Sequence, residues 1–472
     1  MFTLLNNKIK SIINKQFVKD TFFVAFSNFL NSITSFLKGL FIAGYFGATR
    51  STDNYVYYQV FPLLVMSVFG GAIGESCLPL FKSILNRAKD ELYSLYKDLE
   101  GVVISVTIFV IICSFFLTLI LNIKKQGNFS QRLFIPVIFY LAILPGSVAA
   151  VCNSYFLANN QAKIIANVNI LSNLFSLLLS IGLSFVIGIY GFVIGWTTNH
   201  MLRYVLLRTK IGIELKFITN RVELRDSWLA VKEIFIIAFP IMIASSIEKL
   251  YLLVDRTFAY NLKGGRLSNL FFASSLSDLP ITILISAVGY IAYPKLFDWI
   301  NEPTEKVTIE KFQKFIIYLM TVSSIFVILM SFVPDIIVNV IYERGKYTSA
   351  DRIISSNCLQ LLTIGFVSKV LYISLARVLY IIKRQKEIIF ITLIPLIAKF
   401  IGNIMFINKF EVYTIAATTS LANILMLWLL VFKLNTPKFP VWSIVGEMKI
   451  ISIYILLTVL PAAKFFFVNK IN

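Results

Sequence analysis

Charge is scarce in this chain: of 472 residues only 14% are Asp, Glu, Lys or Arg, while 58% are hydrophobic. That balance excludes an ordinary soluble domain, in which about a quarter of residues are charged. Histidine is almost missing, and the lone His200 at the end of an apolar run reads as a packing residue. The four cysteines, Cys77, Cys113, Cys152 and Cys358, lie in or beside apolar runs without paired metal-ligand spacing and read as small core residues. No phosphate-loop, metal-ligand or nucleophile-elbow motif occurs. No metal, cofactor or catalytic residue is therefore expected, and the chain does not read as an enzyme. A membrane-embedded polymerase or acyltransferase would need a catalytic constellation, usually with a substantial extracytoplasmic loop, and neither is visible.

What is abundant is long apolar sequence. A bilayer core takes roughly 20 apolar residues per helical span, and several charge-free stretches meet that length. They are Gly101 to Ile123, Leu133 to Ala162, Phe315 to Pro334 and Val412 to Phe432. Ile164 to Leu202 is long enough for two spans, with Gly188 and Gly191 marking a turn. Lipid leaves unpaired backbone groups no water to bond, so the fold class is an all-α polytopic membrane protein. About thirteen spans (12–14) are expected, near 21–45, 55–80, 101–123, 133–157, 164–187, 190–208, 234–258, 268–294, 313–338, 356–382, 388–407, 412–432 and 449–468.

The net charge of +20 follows this topology. Lys82, Arg87, Lys89 and Lys97 form one basic loop, Arg203 to Lys232 contains a second, and Lys383, Arg384 and Lys386 a third. All fall on the side of the N-terminus, where Lys8, Lys10, Lys15 and Lys19 precede an apolar run with no cleavage site. The positive-inside rule puts that side in the cytoplasm of the bacterial inner membrane, although Lys124, Lys125 and Arg132 weaken the contrast opposite. Anionic lipid accounts for the basic balance, and nucleic acid is not expected as a partner.

An internal repeat divides the chain. Pro62, Ala72-Ile73-Gly74 and Pro79 in the second span are echoed by Pro280, Ala287-Val288-Gly289 and Pro294 in the eighth. Copies six spans apart share an orientation, the plan of two parallel lobes around a central cavity. The expected domains are an N-terminal lobe over 1–210, a basic linker over 211–232, a second lobe over 233–435 and a further helix over 436–472. Gly70, Gly71 and Gly74 form a small-residue stripe suited to close helix packing, and Pro62 and Pro280 are candidate hinges.

Charges inside spans carry the functional information, because each costs about 2.5–3.5 kcal/mol at a helix centre. Lys38, Lys249, Lys369, Arg377 and Lys399 are candidates for a cationic cavity that receives an anionic headgroup. Arg50, Asp53, Glu75, Glu248, Asp255, Arg256 and Asp278 are candidates for gating or charge pairing. Seven residues separate Glu248 from Asp255 and Lys249 from Arg256, so each pair shares a helix face. The alternative is that these charges pair with one another or reach to the interface.

Three passages resemble a known family. They are Phe46-Gly47-Ala48 with Thr52-Asp53 and Pro62; Val254-Asp255-Arg256-Thr257-Phe258-Ala259 with Gly264-Gly265; and Glu343-Arg344-Gly345-Lys346-Tyr347-Thr348 with Asp351. Arg377 and Tyr380 to Gln385 continue the pattern. In order and spacing these are similar to the MurJ/MviN lipid flippases of the multidrug/oligosaccharidyl-lipid/polysaccharide superfamily. The resemblance implies two six-helix lobes and alternating-access flipping of an undecaprenyl-diphosphate-linked glycan, with glycan-assembly proteins as possible partners.

Departures qualify the substrate. Where peptidoglycan flippases carry cavity arginines, this chain has Lys38, Ser32, Met66 and Ser275, while Asp53 is retained. A lysine offers positive charge but not the bidentate fork. These losses favour an O-antigen, capsule or other polysaccharide precursor, with lipid II still open. Some relatives are proposed to hold sodium around the seventh, eleventh and twelfth helices. Lys399 falls near the matching part of the eleventh and would repel it, so sodium dependence is not expected. A drug antiporter of the same superfamily and a transport-inactive envelope scaffold are the alternatives.

Overall fold

A computed structural model of the protein describes residues 2–85, 89–123, 129–211, 246–300, 305–382, 386–435 and 448–468, with positions 239, 242, 243, 384 and 446. Among the described residues there is no strand. The first half runs as α1 (Phe2–Phe46), α2 (Arg50–Tyr58), α3 (Val60–Val65), a π-helical segment (Met66–Gly71), α4 (Ala72–Leu85), α5 (Lys89–Ile123), α6 (Phe129–Leu141), α7 (Ile143–Ala158), α8 (Ala162–Ile187) and α9 (Tyr190–Lys210). After it come α10 (246–260), α11 (Arg266–Ile300), α12 (Glu305–Phe332), α13 (Pro334–Tyr342), α14 (Ser349–Ile364), α15 (Phe366–Ile381), α16 (Glu387–Phe410), α17 (Val412–Leu434) and α18 (Met448–Val468).

Ten helices among the described residues are long and apolar enough to cross a membrane, or eleven when the bent pair α14–α15 counts as one span. The described residues thus support the expected fold class without confirming the count of thirteen. The segment expected at 190–208 is the helix α9, but Thr197-Thr198-Asn199-His200 and Arg203 dilute its apolar character. The segment expected at 234–258 lies partly outside the described residues. The turn expected at Gly188 is present, since α8 ends at Ile187 and α9 starts at Tyr190.

The chain divides into two compact units, Met1–Ser35 with Phe61–Ser246, and Phe36–Val60 with Ile247–Asn472. In the first, Ser172, Ser176, Ser180 and Ser184 recur every four residues on α8 and are all buried. That spacing is one helix face. The stripe meets α9, where Ser176 Oγ donates to the Gly195 carbonyl at 2.6 Å. Small residues allow helices to approach closely where lipid supplies no hydrophobic drive for their association. A second seam joins α4 to α7: Ser154 Oγ donates to the Gly74 carbonyl at 2.6 Å, and Gly70 lies against Ser147. Glu100, buried on α5, accepts from Arg208 and from the Tyr204 hydroxyl.

In the second unit α14 and α15 meet at a 47° bend, where Gly365 packs against the backbone of Ser420 on α17. The C-terminal helix α18 is fastened by Lys464, whose ammonium donates to the Ser331 and Phe332 carbonyls at 2.7 and 2.6 Å. These are among the last carbonyls of α12, which lack partners within their own helix.

The seam of the first unit can be tested with two glycines. A Cβ on Gly74 would stand 2.8 Å from the Ala150 carbonyl oxygen, whereas one on Gly101 meets nothing within 4 Å. Gly74→Ala is expected to destabilise the detergent-solubilised protein by about 1–3 kcal/mol. Gly101→Ala is expected to be neutral or to stabilise it by about 0.5–1 kcal/mol. Melting temperatures of the two variants compare these outcomes directly.

Candidate functional site

Asp53 organises one end of the second unit. Its carboxylate is fully buried and accepts three hydrogen bonds, from the Gly265 N–H at 2.7 Å, the Ser268 N–H at 2.8 Å and the Ser268 hydroxyl at 2.6 Å. Those donors lie at the start of α11, where the first amides have no partner within the helix and a negative charge is favoured. The sequence builds the acceptor side locally, with Thr49 capping α2 and presenting Asp53 in its first turn. It builds the donor side with Gly265, whose φ of +90° lets the chain turn into α11 beside the Ala48 carbonyl.

Around this carboxylate the three passages of the sequence converge. Arg50 lies 4.0 Å from Asp53, donates to the Tyr260 carbonyl at 2.6 Å and stands 3.9 Å over the Tyr260 ring. Tyr57 stacks on the same ring at 4.2 Å, and the Tyr260 hydroxyl donates to Asn54. Arg256 is buried and donates to the Val56 carbonyl. From the third passage, the Lys346 N–H donates to the Gly44 carbonyl at 2.9 Å. Gly47, at a φ of +69°, sits where a Cβ would be 2.5 Å from the Lys346 carbonyl oxygen. Tyr347, in the loop before α14, donates to Ser355 Oγ at 2.6 Å, and burial pushes its phenol up so that it remains a donor. The segment 36–60 is therefore held to α10, to the start of α11 and to the loop before α14.

Farther along the helices, three ion pairs join candidates named in the sequence. Lys399 of α16 places its ammonium 2.6 and 2.7 Å from the two carboxylate oxygens of Asp255 on α10. The lysine side chain is 1% exposed and the aspartate 18%. The Tyr251 ring lies 5.3 Å from the ammonium, and its hydroxyl donates to the Thr392 carbonyl. Lys369 of α15 pairs with Asp278 of α11 at 2.7 Å, and here the lysine is 32% exposed and the aspartate more than half. Lys249 and Glu248 are neighbours at 3.3 Å on α10, with the glutamate largely exposed.

Every charged candidate except Glu75 belongs to the second unit. Lys38 is half-buried on α1 and Arg377 half-buried on α15. Glu75, exposed on α4, belongs to the first unit together with Gly70, Gly71, Gly74 and the buried Pro62, whereas Pro280 is buried in α11. Lys399 was expected to face a substrate, but it is enclosed and matched by Asp255. Glu248 and Asp255, expected on one helix face, take different partners, Lys249 beside it for the first and Lys399 of α16 for the second. Ser32 and Ser275, which stand where the resemblance implies arginines, donate back to the carbonyls of Asn28 and Phe271 in their own helices. Ser268, Tyr260 and Tyr251 were not singled out in the sequence. Gly264-Gly265 before a helix was the available signal for the first.

A sodium ion around the seventh, eleventh and twelfth helices does not fit this chain. The carboxylate that would hold it already carries the Lys399 ammonium on both oxygens.

Removing the Asp53 carboxylate leaves two backbone amides and a hydroxyl buried without their acceptor. Asp53→Ala is expected to lower stability by about 2–3 kcal/mol, with Asp53→Asn intermediate. Denaturant unfolding in detergent measures the loss. An Asp53→Ala protein as stable as wild type would show that this hub does not hold the segment in place.

Comparison with known proteins follows the same lines. Residues 42–471 match the family described as Lipid II flippase MurJ. A probable lipid II flippase MurJ of Buchnera aphidicola subsp. Baizongia pistaciae is 22% identical over 465 residues, covering 92% of this chain and 84% of that protein. The lipid II flippase MurJ of Thermosipho africanus is 24% identical over 442 residues, covering 89% and 87%. Among solved structures, a lipid II flippase MurJ in an inward closed conformation aligns with a TM-score of 0.74 at 20% identity, over 95% of this chain and 99% of the other. An inward-facing multidrug resistance MATE transporter of the MOP superfamily aligns at 0.67 and 12% identity, over 90% and 95%. At such identities the structural likeness establishes the fold, which is that of a multi-pass membrane protein. The sequence match extends over nearly the whole chain and joins the three passages that meet at Asp53, and on that ground the chain belongs to the lipid II flippase MurJ family.

Proposed function

We propose that the protein flips lipid II, an undecaprenyl-diphosphate-linked glycan, across the bacterial inner membrane by alternating access. The observation that carries this reading is the Asp53 hub. One carboxylate holds the segment 36–60 to the start of α11 through three hydrogen bonds. A closure made from a few short polar contacts can open as a unit when those contacts are exchanged for water, which is what a gate requires. With the basic loops in the cytoplasm, this closure lies at the extracytoplasmic end and the N-terminus is cytoplasmic.

The diphosphate needs positive charge within the membrane. Lys249 and Lys369 are each about one-third exposed and sit opposite exposed carboxylates, Glu248 and Asp278, that an arriving anion can displace. Lys38 and Arg377 add cationic character on α1 and α15. Lysines bind a diphosphate as mobile point charges and not as fixed forks, which accommodates the serines and methionine at the other matching positions. The relatives reported above carry the name of lipid II flippases, and none of those names supports an O-antigen or capsule precursor. The antiporter reading rests on likeness of fold alone.

Fluorescent lipid II in proteoliposomes provides the test. Wild type is expected to equilibrate the lipid between leaflets. Lys369→Ala is expected to slow movement about tenfold, equivalent to about 1.4 kcal/mol in the barrier, with Lys249→Ala in the same direction. Failure of folded wild-type protein to move lipid II would remove this reading.

A further inference from the structure

Lys399 is enclosed within the second unit, and its surroundings resemble the coordination shell of an ion. Its ammonium touches both oxygens of Asp255 on α10 at 2.6 and 2.7 Å. Thr419 of α17 donates back to the Ile415 carbonyl of its own helix at 2.6 Å and so leaves the carboxylate to the ammonium. One turn along α16, Asn403 is fully buried and accepts from Thr418 of α17 at 2.6 Å, while its own Nδ2 finds no partner. A carboxylate of α10, an amide oxygen of α16 and hydroxyls of α17 are the oxygen types that suit a small hard cation. The position such a cation would take is filled by a lysine side chain that is 1% exposed.

We propose that the Lys399 ammonium is a built-in substitute for a dissolved monovalent cation at the junction of α10, α16 and α17. The charge of Asp255 is then matched at all times by a covalently tethered partner, and no ion has to bind or leave for these helices to stay together. A second positive charge about 4 Å from the ammonium would be weakened about a thousandfold in affinity at the effective dielectric of a protein site. The sequence places no second acid in the cluster to offset this. This inference goes beyond the lipid II reading and can fail without affecting it.

The test compares melting of the detergent-solubilised full chain in sodium chloride and in choline chloride at equal ionic strength, together with binding of radioactive sodium. Wild type is expected to melt at the same temperature in both salts and to bind no sodium. Lys399→Ala, which leaves Asp255 without its partner, is expected to melt higher in sodium than in choline, because a ligand that binds only the folded state stabilises it. It should also bind sodium saturably, at concentrations about a thousandfold below any at which wild type would begin to bind. Lys399→Gln keeps a donor toward Asp255 without the charge and serves as the milder second variant. Adding Asp255→Asn to either should abolish the sodium effect. A sodium-specific rise in wild type would overturn the proposal. So would an absence of sodium response in both single variants, including the case in which neither folds in either salt.

Discussion

A carboxylate buried among membrane helices is tolerated only if donors are already in place, because neither lipid nor a packed bundle offers water to a stranded charge. Asp53 meets that constraint with three donors at the start of α11, and the arrangement around it follows from having to bring them together. Gly265 must take a left-handed turn so that its own amide and that of Ser268 point at one carboxylate. Thr49 must begin α2 where it does so that Asp53 falls in the first turn. Tyr260, Arg256 and the loop around Lys346 then pack on the segment that the carboxylate has positioned.

The ion pairs of the second unit follow the same constraint with different results. Lys399 and Asp255 are sealed together, and the pair behaves as part of the core. Lys369 and Asp278 are paired at a similar distance but remain open on both sides, so water can compete for either and another anion can compete for the lysine. Burial, and not separation, distinguishes a structural charge from an available one. Buried pairs contribute less to stability than their short distances suggest, because desolvation opposes attraction. Losing one partner is nevertheless severe, since the other is left uncompensated.

Much of this was legible in the sequence, and the limits have physical causes. Charge-free runs identify spans because the bilayer sets their length, and the α8–α9 turn was visible because Gly188 interrupts one such run. The three passages that meet at Asp53 could be read as a group because loop chemistry uses glycine, threonine and aspartate at fixed offsets. The partner of Lys399 could not be read: Asp255 is 144 positions away, and no local pattern links a lysine on one helix to an aspartate on another. The expectation that Lys399 faces substrate treated a charge within a span as an exposed one, and only tertiary packing separates the two. Likewise α9 is a helix as expected, yet its polar middle leaves it short of the apolar character that the other spans possess.

One element of the first unit bears on how the family's helices can vary. The π-helical turn from Met66 to Gly71 accommodates one more residue than an α-helical turn would. Each residue of an α-helix advances about 100°, so this turn rotates the face presented by residues 61–65 against the face presented by α4. The surface that carries Pro62 and the surface that carries Gly74, both in the first unit, can thus be set to their own neighbours separately. In evolutionary terms the turn is a clutch: a residue gained or lost there re-aims one half of the helix while the other half keeps its contacts.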